Sequence, residues 1–398
     1  MEKKLSALTK IAIVADAYPP QTTSAANQIR DLGIELKKND MDVTVILPDH
    51  RLSDCYSREL DCGINVLRLK AKQTKDLGYF RRTLNEILMP FMMMRNFSFS
   101  KSPDVNFDGI IWYSPSIFHG FFVKYLKMRN YCKSYLVVRD IFPEWALDLG
   151  LMRRGLAFYF FKCVAEYQYR VADTIGIQTA GNFKYFQKHK KTEVLQNWLG
   201  PLNSSTFSID LSGSKLRNRK IFIYAGNMGI AQNMDLLVQL AATFNENDNL
   251  GFLFIGRGSE FDRLKHHAQK HCADNTLFID EMEAERLPHL FSQCHYGMLC
   301  LSPLHNSHNI PGKFISYLRS GLPCLAVINR GNDLGNFITQ NKVGVYCDTD
   351  DLKHLVDKLN YLLSEKVDYN QLRQNSFDAF ELHFSVKKIA AQILSGLS

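Results

Sequence analysis

Three short runs place glycine beside a cation or an amide where an apolar stretch gives way to a helical one. "YAGNMGIAQNMDLL" (224–237) sets Gly226 and Gly229 around Asn227. "FIGRGSEFDRL" (254–264) sets Arg257 between Gly256 and Gly258, with Ser259 as a helix cap and Asp262 in the first turn. "IPGKFISYLRSGLPCLAV" (310–327) puts Gly312 and Lys313 at a helix start. Glycine lets a backbone approach a phosphate closely. A helix start carries free N–H groups and a partial positive charge, so a lysine there is unfavourable unless an anion joins it. Arginine between glycines can clamp a diphosphate. Singly, each run also reads as a tight turn or a solvent-facing cation. Three in one half of the chain predict a shared anion site.

Carboxylates at strand ends form a second set. Asp16 closes "KIAIVAD", and Asp140 closes "SYLVVRD", with Glu144 four residues on. Each also reads as a helix cap or an arginine partner. His119 in "SPSIFHGFF" reads first as a satisfied core histidine. His267 and His271, four apart in "HHAQKHC", read as a polar helix face, and no metal set or cofactor is expected.

The elements that must position these groups follow from periodicity. "KIAIVAD", the helical pattern "NQIRDLGIELKKND" and "DVTVILPD" make a strand–helix–strand unit with a parallel sheet. Further strands are expected at 64–70, 107–114, 134–140, 174–178 and 192–197, with helices near 78–97, 116–130 and 153–171. Residues 200–219, rich in Gly, Ser, Asn and charge, read as a linker. A second alternating series then runs from "KIFIYAG" to "GVYCD". The expected organisation is a domain at 1–199, a linker at 200–219, a second domain at 220–370, and a C-terminal helix at 371–398 that packs back across the linker. In open α/β sheets, ligands sit at the carboxyl ends of strands, where all the candidate residues lie.

Composition limits the partners. The 398 residues suit two domains. Residues 1–200 carry 29 Lys and Arg against 20 Asp and Glu, and residues 201–398 carry 19 against 20. One basic half predicts an anionic partner. Nucleic acid is not expected, because that role would need basic and aromatic residues interleaved in a compact module, and the two-lobed pattern argues against one. "GYFRRTLNEILMPFMMMRNFSFSK" (78–101) combines Arg81 and Arg82 with a methionine- and phenylalanine-rich stretch. It reads either as a core helix or as an interfacial helix on an anionic membrane surface. The nine scattered cysteines, without a C-x-x-C pair, predict a reduced, cytoplasmic protein, and "MEKKLSALTKIAIVAD" reads as a basic start running into a strand that ends in Asp16 rather than as a signal peptide.

The three glycine runs, with "VRDIFPEWALDLG" (138–150), resemble the motifs of family 4 glycosyltransferases of the GT-B fold, most closely the WbuB-like branch of bacterial surface-polysaccharide synthesis. The resemblance spans about 10–395. It implies two Rossmann-like parallel-sheet domains facing across a cleft, and a retaining transfer from a nucleotide-sugar donor to a lipid-linked or saccharide acceptor in O-antigen, capsule or exopolysaccharide synthesis. The implied donor is a UDP-linked N-acetylated hexosamine or deoxy form. Donor contacts would fall to Gly226, Asn227, Gly229, Arg257, Gly312, Lys313 and Ser316, with the base near Phe278 and Ile279. The catalytic and acceptor-orienting candidates are Asp140, Glu144 and Asp16. The implied location is cytoplasmic, peripheral at the inner face of the bacterial inner membrane. His308 and Ser316 stand where family members carry two glutamates, and Asn227 and Gln232 where an arginine and a lysine are common. A catalytically impaired scaffold that binds nucleotide-sugar and a nucleotide-sugar 2-epimerase-like enzyme are the alternatives on the same fold.

Overall fold

Alternation of apolar strands with amphipathic helices builds two parallel α/β units, residues 1–200 with 386–398, and residues 201–385. The computed structural model describes residues 9–21, 23–100, 106–148, 150–189, 191–202, 209–229, 232–283, 285–301 and 310–398.

The first unit runs β1 (Lys10–Val14), α1 (Ser24–Lys38), β2 (Asp42–Asp49), β3 (Tyr56–Asp61), β4 (Ile64–Lys70), α2 (Tyr79–Phe99), β5 (Gly109–Tyr113), α3 (His119–Asn130), β6 (Lys133–Val138), α4 (Glu144–Asp148), α5 (Leu156–Val171), β7 (Thr174–Ile177) and β8 (Thr192–Val194). Its eight strands lie in the order β3-β4-β2-β1-β5-β6-β7-β8. The central strands are buried on both faces, so they read as continuous apolar runs. β3, which the strand pattern did not announce, pairs antiparallel at the edge and is largely exposed, with charged Arg58, Glu59 and Asp61. Thr23 caps α1 by accepting from the Ala26 N–H at 3.2 Å, and Lys37 and Lys38 close it at its negative end.

One face of this sheet is covered by α2, α3 and α5 through Met89, Met93, Phe97, Phe122, Leu126, Val164 and Ala165. The methionine side of α2 is therefore core. The exposed apolar groups there are Tyr79, Phe80, Leu84, Phe91 and Phe99. The other face is covered by α1.

The second unit runs β9 (Lys220–Ala225), α6 (Asp235–Thr243), β10 (Leu250–Gly256), α7 (Phe261–His271), β11 (Thr276–Asp280), α8 (Leu287–Phe291), β12 (Tyr296–Cys300), α9 (Gly312–Arg319), β13 (Cys324–Val327), α10 (Asp333–Asn341), β14 (Gly344–Cys347), α11 (Leu352–Leu363) and α12 (Tyr369–His383). Its six strands, all parallel, lie in the order β11-β10-β9-β12-β13-β14.

Two expected boundaries lie elsewhere. Within the expected linker, Leu211 and Leu216 are buried, and Gln293 accepts from the Leu211 N–H at 2.9 Å, so residues 209–219 belong to the second unit. The expected terminal segment 371–398 divides. α12 stays with the second unit, while α13 (Val386–Leu397) joins the first. There it lays Val386, Ile389, Ile393, Leu394 and Leu397 into the core beside α1. Its last turn accepts hydrogen bonds from Thr174 Oγ1 and Lys191 Nζ at the Gly396 carbonyl, both at 2.9 Å.

Candidate active site

In the second unit, β9, β10 and β12 are neighbours, so the loops that leave β9 and β10 must pass side by side. They do so at backbone distance. The Gly226 N–H donates to Ile255 O at 2.8 Å, the Met228 N–H to Arg257 O at 2.7 Å, and the Glu260 N–H to Met228 O at 3.0 Å. Gly256 has φ +150°, and a Cβ there would lie 1.9 Å from Gly226 O. Gly258 has φ +145° and the same constraint against Met228 O at 2.3 Å. Only glycine permits this approach at that backbone angle.

The first turn of α9 brings the cation. Pro311 caps this helix without a side-chain hydrogen bond. Lys313 reaches back toward β9, where its Nζ sits 4.0 Å from the centre of the Tyr224 ring and donates to Tyr224 Oη at 2.5 Å. A Cβ at Gly226 would lie 3.4 Å from the same Nζ. Tyr224 Oη in turn donates to the Asn227 carbonyl at 2.7 Å, tying the lysine to the glycine loop. Burial lowers the Lys313 pKa to about 8, against smaller opposing effects of the Cys300 and Cys324 thiols. Among the described residues Lys313 has no carboxylate partner. A part-buried ammonium at a helix start, set against a glycine turn, is an arrangement that suits an anion.

Tyr317, one turn along α9, is fully buried and accepts from the Ala225 N–H at 2.9 Å while donating to Met298 O at 3.1 Å. It fixes α9 against the ends of β9 and β12. Tyr224 and Tyr317 act by holding Lys313. The sequence signal for both was present, as polar-tipped aromatics inside apolar runs, but nothing local said which groups their hydroxyls would meet.

The remaining candidates sit less tightly. Asn227 is exposed; its amide donates to Gln232 Oε1 at 3.2 Å, and the same oxygen accepts from the Gly229 N–H at 2.9 Å. Arg257 is 78% exposed and pairs with Glu281 at 3.1 Å at the end of β11, so its guanidinium is turned along the strand ends rather than onto the glycines. Gly312 has open space where a Cβ would stand. Ser316 Oγ donates to its own helix at Gly312 O, 3.2 Å. The Phe278 ring stacks on Phe254 at 4.7 Å. His308 lies outside the described residues. His267 and His271 face each other with rings 4.7 Å apart.

In the first unit, Asp16, His119, Asp140 and Glu144 all follow the carboxyl ends of adjacent parallel strands β1, β5 and β6. Asp16 meets His119 Nε2 at 2.8 Å, with the imidazole completely buried. Burial alone would raise the Asp16 pKa. The His119 charge and hydrogen bond, with Lys75 and the Ser116 backbone, bring it below the usual carboxylate range. The other ring nitrogen of His119, Nδ1, is buried without a partner among the described residues. His119 is therefore not the satisfied core histidine its flanks suggest, and its pairing across 103 residues had no local signal. Asp140 is exposed and makes no hydrogen bond or ion pair among the described residues. Glu144 pairs with Lys162 at 3.2 Å and borders a cavity.

Known proteins give these features a context. Residues 210–378 match the family model "Glycosyl transferases group 1". Over 284 residues, 67% of this chain and 69% of the relative, the sequence is 22% identical to "Probable glycosyltransferase WbjE" of Pseudomonas aeruginosa. The fold is similar to that of Anabaena HepE, solved in complex with UDP and glucose, with a TM-score of 0.63 and 13% identity over 98% of this chain and 99% of that one. It is also similar to WaaG, a glycosyltransferase involved in lipopolysaccharide biosynthesis, with a TM-score of 0.60 and 11% identity over 98% and 99%. The architecture, two Rossmann-like parallel-sheet units, is that of GT-B glycosyltransferases.

Proposed function

We propose that this chain, a glycosyltransferase by its group 1 domain and its relatives, is a retaining enzyme that moves a sugar from a nucleoside-diphosphate donor to a lipid-linked saccharide in bacterial surface-polysaccharide synthesis. The donor proposed is a UDP-linked N-acetylated hexosamine or deoxy form, and the branch WbuB-like. The observation that carries the reading is the Lys313 ammonium, part-buried, without a carboxylate partner among the described residues, and set against the Gly226 turn.

The chemistry follows from charge. Breaking the bond between sugar and diphosphate leaves negative charge on the leaving oxygens. The start of α9 and Lys313 stabilise that charge, the glycines let the diphosphate come close, and Arg257 swings from Glu281 to add a second cation. The acceptor hydroxyl attacks from the face the diphosphate leaves, giving its proton to a departing phosphate oxygen, so configuration is kept without a carboxylate nucleophile. Asp16 holds His119 oriented, and Asp140 and Glu144 position the acceptor. HepE's complex with UDP and glucose and WaaG's part in lipopolysaccharide biosynthesis support the donor and acceptor classes.

The lipid-linked acceptor and a peripheral membrane location draw on the first unit. α2 and α5 each return from the carboxyl end of a parallel strand, so their first turns share one rim of the sheet. That rim exposes Tyr79, Phe80, Leu156 and Tyr159 beside Arg81, Arg82, Arg153 and Arg154. No helix among the described residues is long and apolar enough to cross a membrane.

A thermal-shift screen of UDP-, GDP- and dTDP-sugars tests donor binding, since a ligand of the native state raises the midpoint by mass action. The expected outcome is a shift with UDP-sugars, followed by release of UDP on adding acceptor and a product with the donor's anomeric configuration. An inverted product would overturn the mechanism. Binding without release of nucleotide would identify a scaffold instead.

A further inference from the structure

The cavity bordered by Glu144 is not used by the donor chemistry. It encloses about 210 Å³ beyond the carboxyl ends of β6 and β7, and Glu144, Lys162, Glu166, Tyr169, Lys184 and Lys188 line it. Of its two carboxylates, Glu144 lies 3.2 Å from Lys162, and Glu166 lies 3.4 Å from the His189 imidazole. Lys184 and Lys188 have no carboxylate partner among the described residues. Tyr169 is 96% buried, and its hydroxyl has no hydrogen-bond partner among them. Burial, then the charges of Glu144 and Glu166, push the Tyr169 pKa up, so the hydroxyl stays protonated and serves as a donor. With Lys162, Lys184 and Lys188 against Glu144 and Glu166, the lining carries one positive charge in excess, and with the unused Tyr169 O–H it offers donors suited to an anionic oxygen ligand.

The chain around the cavity says where that anion comes from. Trp145 follows Glu144, Tyr159 precedes Lys162 by about one helical turn, and Phe183 precedes Lys184; all three aromatics are exposed. Aromatic rings favour the headgroup layer of a bilayer, and flanking lysines reach phosphates at the same depth. A free phosphate would need no such rim.

We propose that this cavity binds the phosphate that joins the acceptor saccharide to its lipid anchor, through Lys184, Lys188 and Tyr169. The proposal rests on the glycosyltransferase reading above and adds the acceptor's phosphate subsite to it.

The test compares two acceptors in the full-length protein, a polyprenyl-diphosphate-linked saccharide and the same saccharide without phosphate or lipid. The readout is the ratio of their kcat/KM values. Replacing both Lys184→Gln and Lys188→Gln is expected to lower that ratio about tenfold or more, the loss of charge-assisted contacts to phosphate. Tyr169→Phe lowers it less, and the double arginine variant, Lys184→Arg with Lys188→Arg, restores it. Pelleting with phosphatidylcholine vesicles separates the sources. The glutamine variant is expected to lose binding to vesicles carrying polyprenyl phosphate while keeping binding to vesicles carrying phosphatidylglycerol. An unchanged ratio, or equal loss on both vesicles, overturns the proposal. Competition by inorganic phosphate that matches polyprenyl phosphate would reassign the cavity to a free anion and also overturn it. UDP-sugar binding, followed by thermal shift on the same samples, reports separately on the glycosyltransferase reading.

Discussion

Lys313 contributes through its environment more than through its charge alone. Stacked on Tyr224 and partly shielded from water, it holds its proton only weakly, with a pKa near 8. A diphosphate would raise that value. Affinity for UDP is therefore expected to be flat below pH 7 and to fall about tenfold per unit above pH 8, as the empty site loses its proton before the occupied one does. Titration calorimetry across that range checks it. The same shift affects folding. The unfolded chain keeps this proton to about 10.5 and the empty folded one releases it near 8, so the unfolded state binds more protons between those values. Wild-type stability should then rise with pH across that window relative to Lys313→Met. Lys313→Met itself should weaken UDP binding by roughly 2–3 kcal/mol without lowering the melting midpoint at pH 7. Gly256→Ala is a different case. Its Cβ would strike the Gly226 carbonyl, so denaturation should show a loss on the order of 10 °C as well as lost binding.

Among the elements, α9 and α13 show how much position depends on distant partners. α9 presents Lys313 only because Tyr317 bonds the ends of β9 and β12, and because α12 packs against it. Tyr317→Phe leaves the Ala225 N–H without its acceptor, at a cost of about 1–3 kcal/mol, and should also weaken donor binding by loosening the lysine. α13 is the last element of the chain but completes the core of the first unit. Ending the chain after Ser385 would uncover the α1 face now met by Ile389, Ile393, Leu394 and Leu397, at roughly 1.5–3 kcal/mol each. The truncated protein is expected to be insoluble or to melt at a much lower temperature, even though the second unit retains Lys313 and every residue packed around it.

Across the whole molecule, charge is divided as the fold is divided. The basic surplus lies in residues 1–200, while Lys313 and its glycine turn lie in the nearly neutral remainder. If the first unit meets an anionic membrane, association with phosphatidylglycerol vesicles should weaken steeply as salt rises from about 50 to 300 mM, whereas UDP binding changes little. Vesicle pelleting and calorimetry at matched salt measure the two.

Much of this could be read along the chain. Apolar runs of strand length, helices at a 3.6 period and glycine at strand ends are local consequences of burial and backbone geometry. They located β1, β4, β10 and β11, the two α/β series, and the three loops that carry Gly226, Gly256 and Lys313. β3 escaped because an exposed edge strand has no buried face to impose a pattern. The linker was misread because two leucines within a polar stretch weigh little until a core surrounds them. The tertiary structure alone decided that Lys313 lies on Tyr224, that Arg257 turns to Glu281, and that His119 meets Asp16. Each is a contact between groups far apart in sequence. A local pattern specifies how much of a residue must be buried, but which partner it meets there depends on the packing of every element at once.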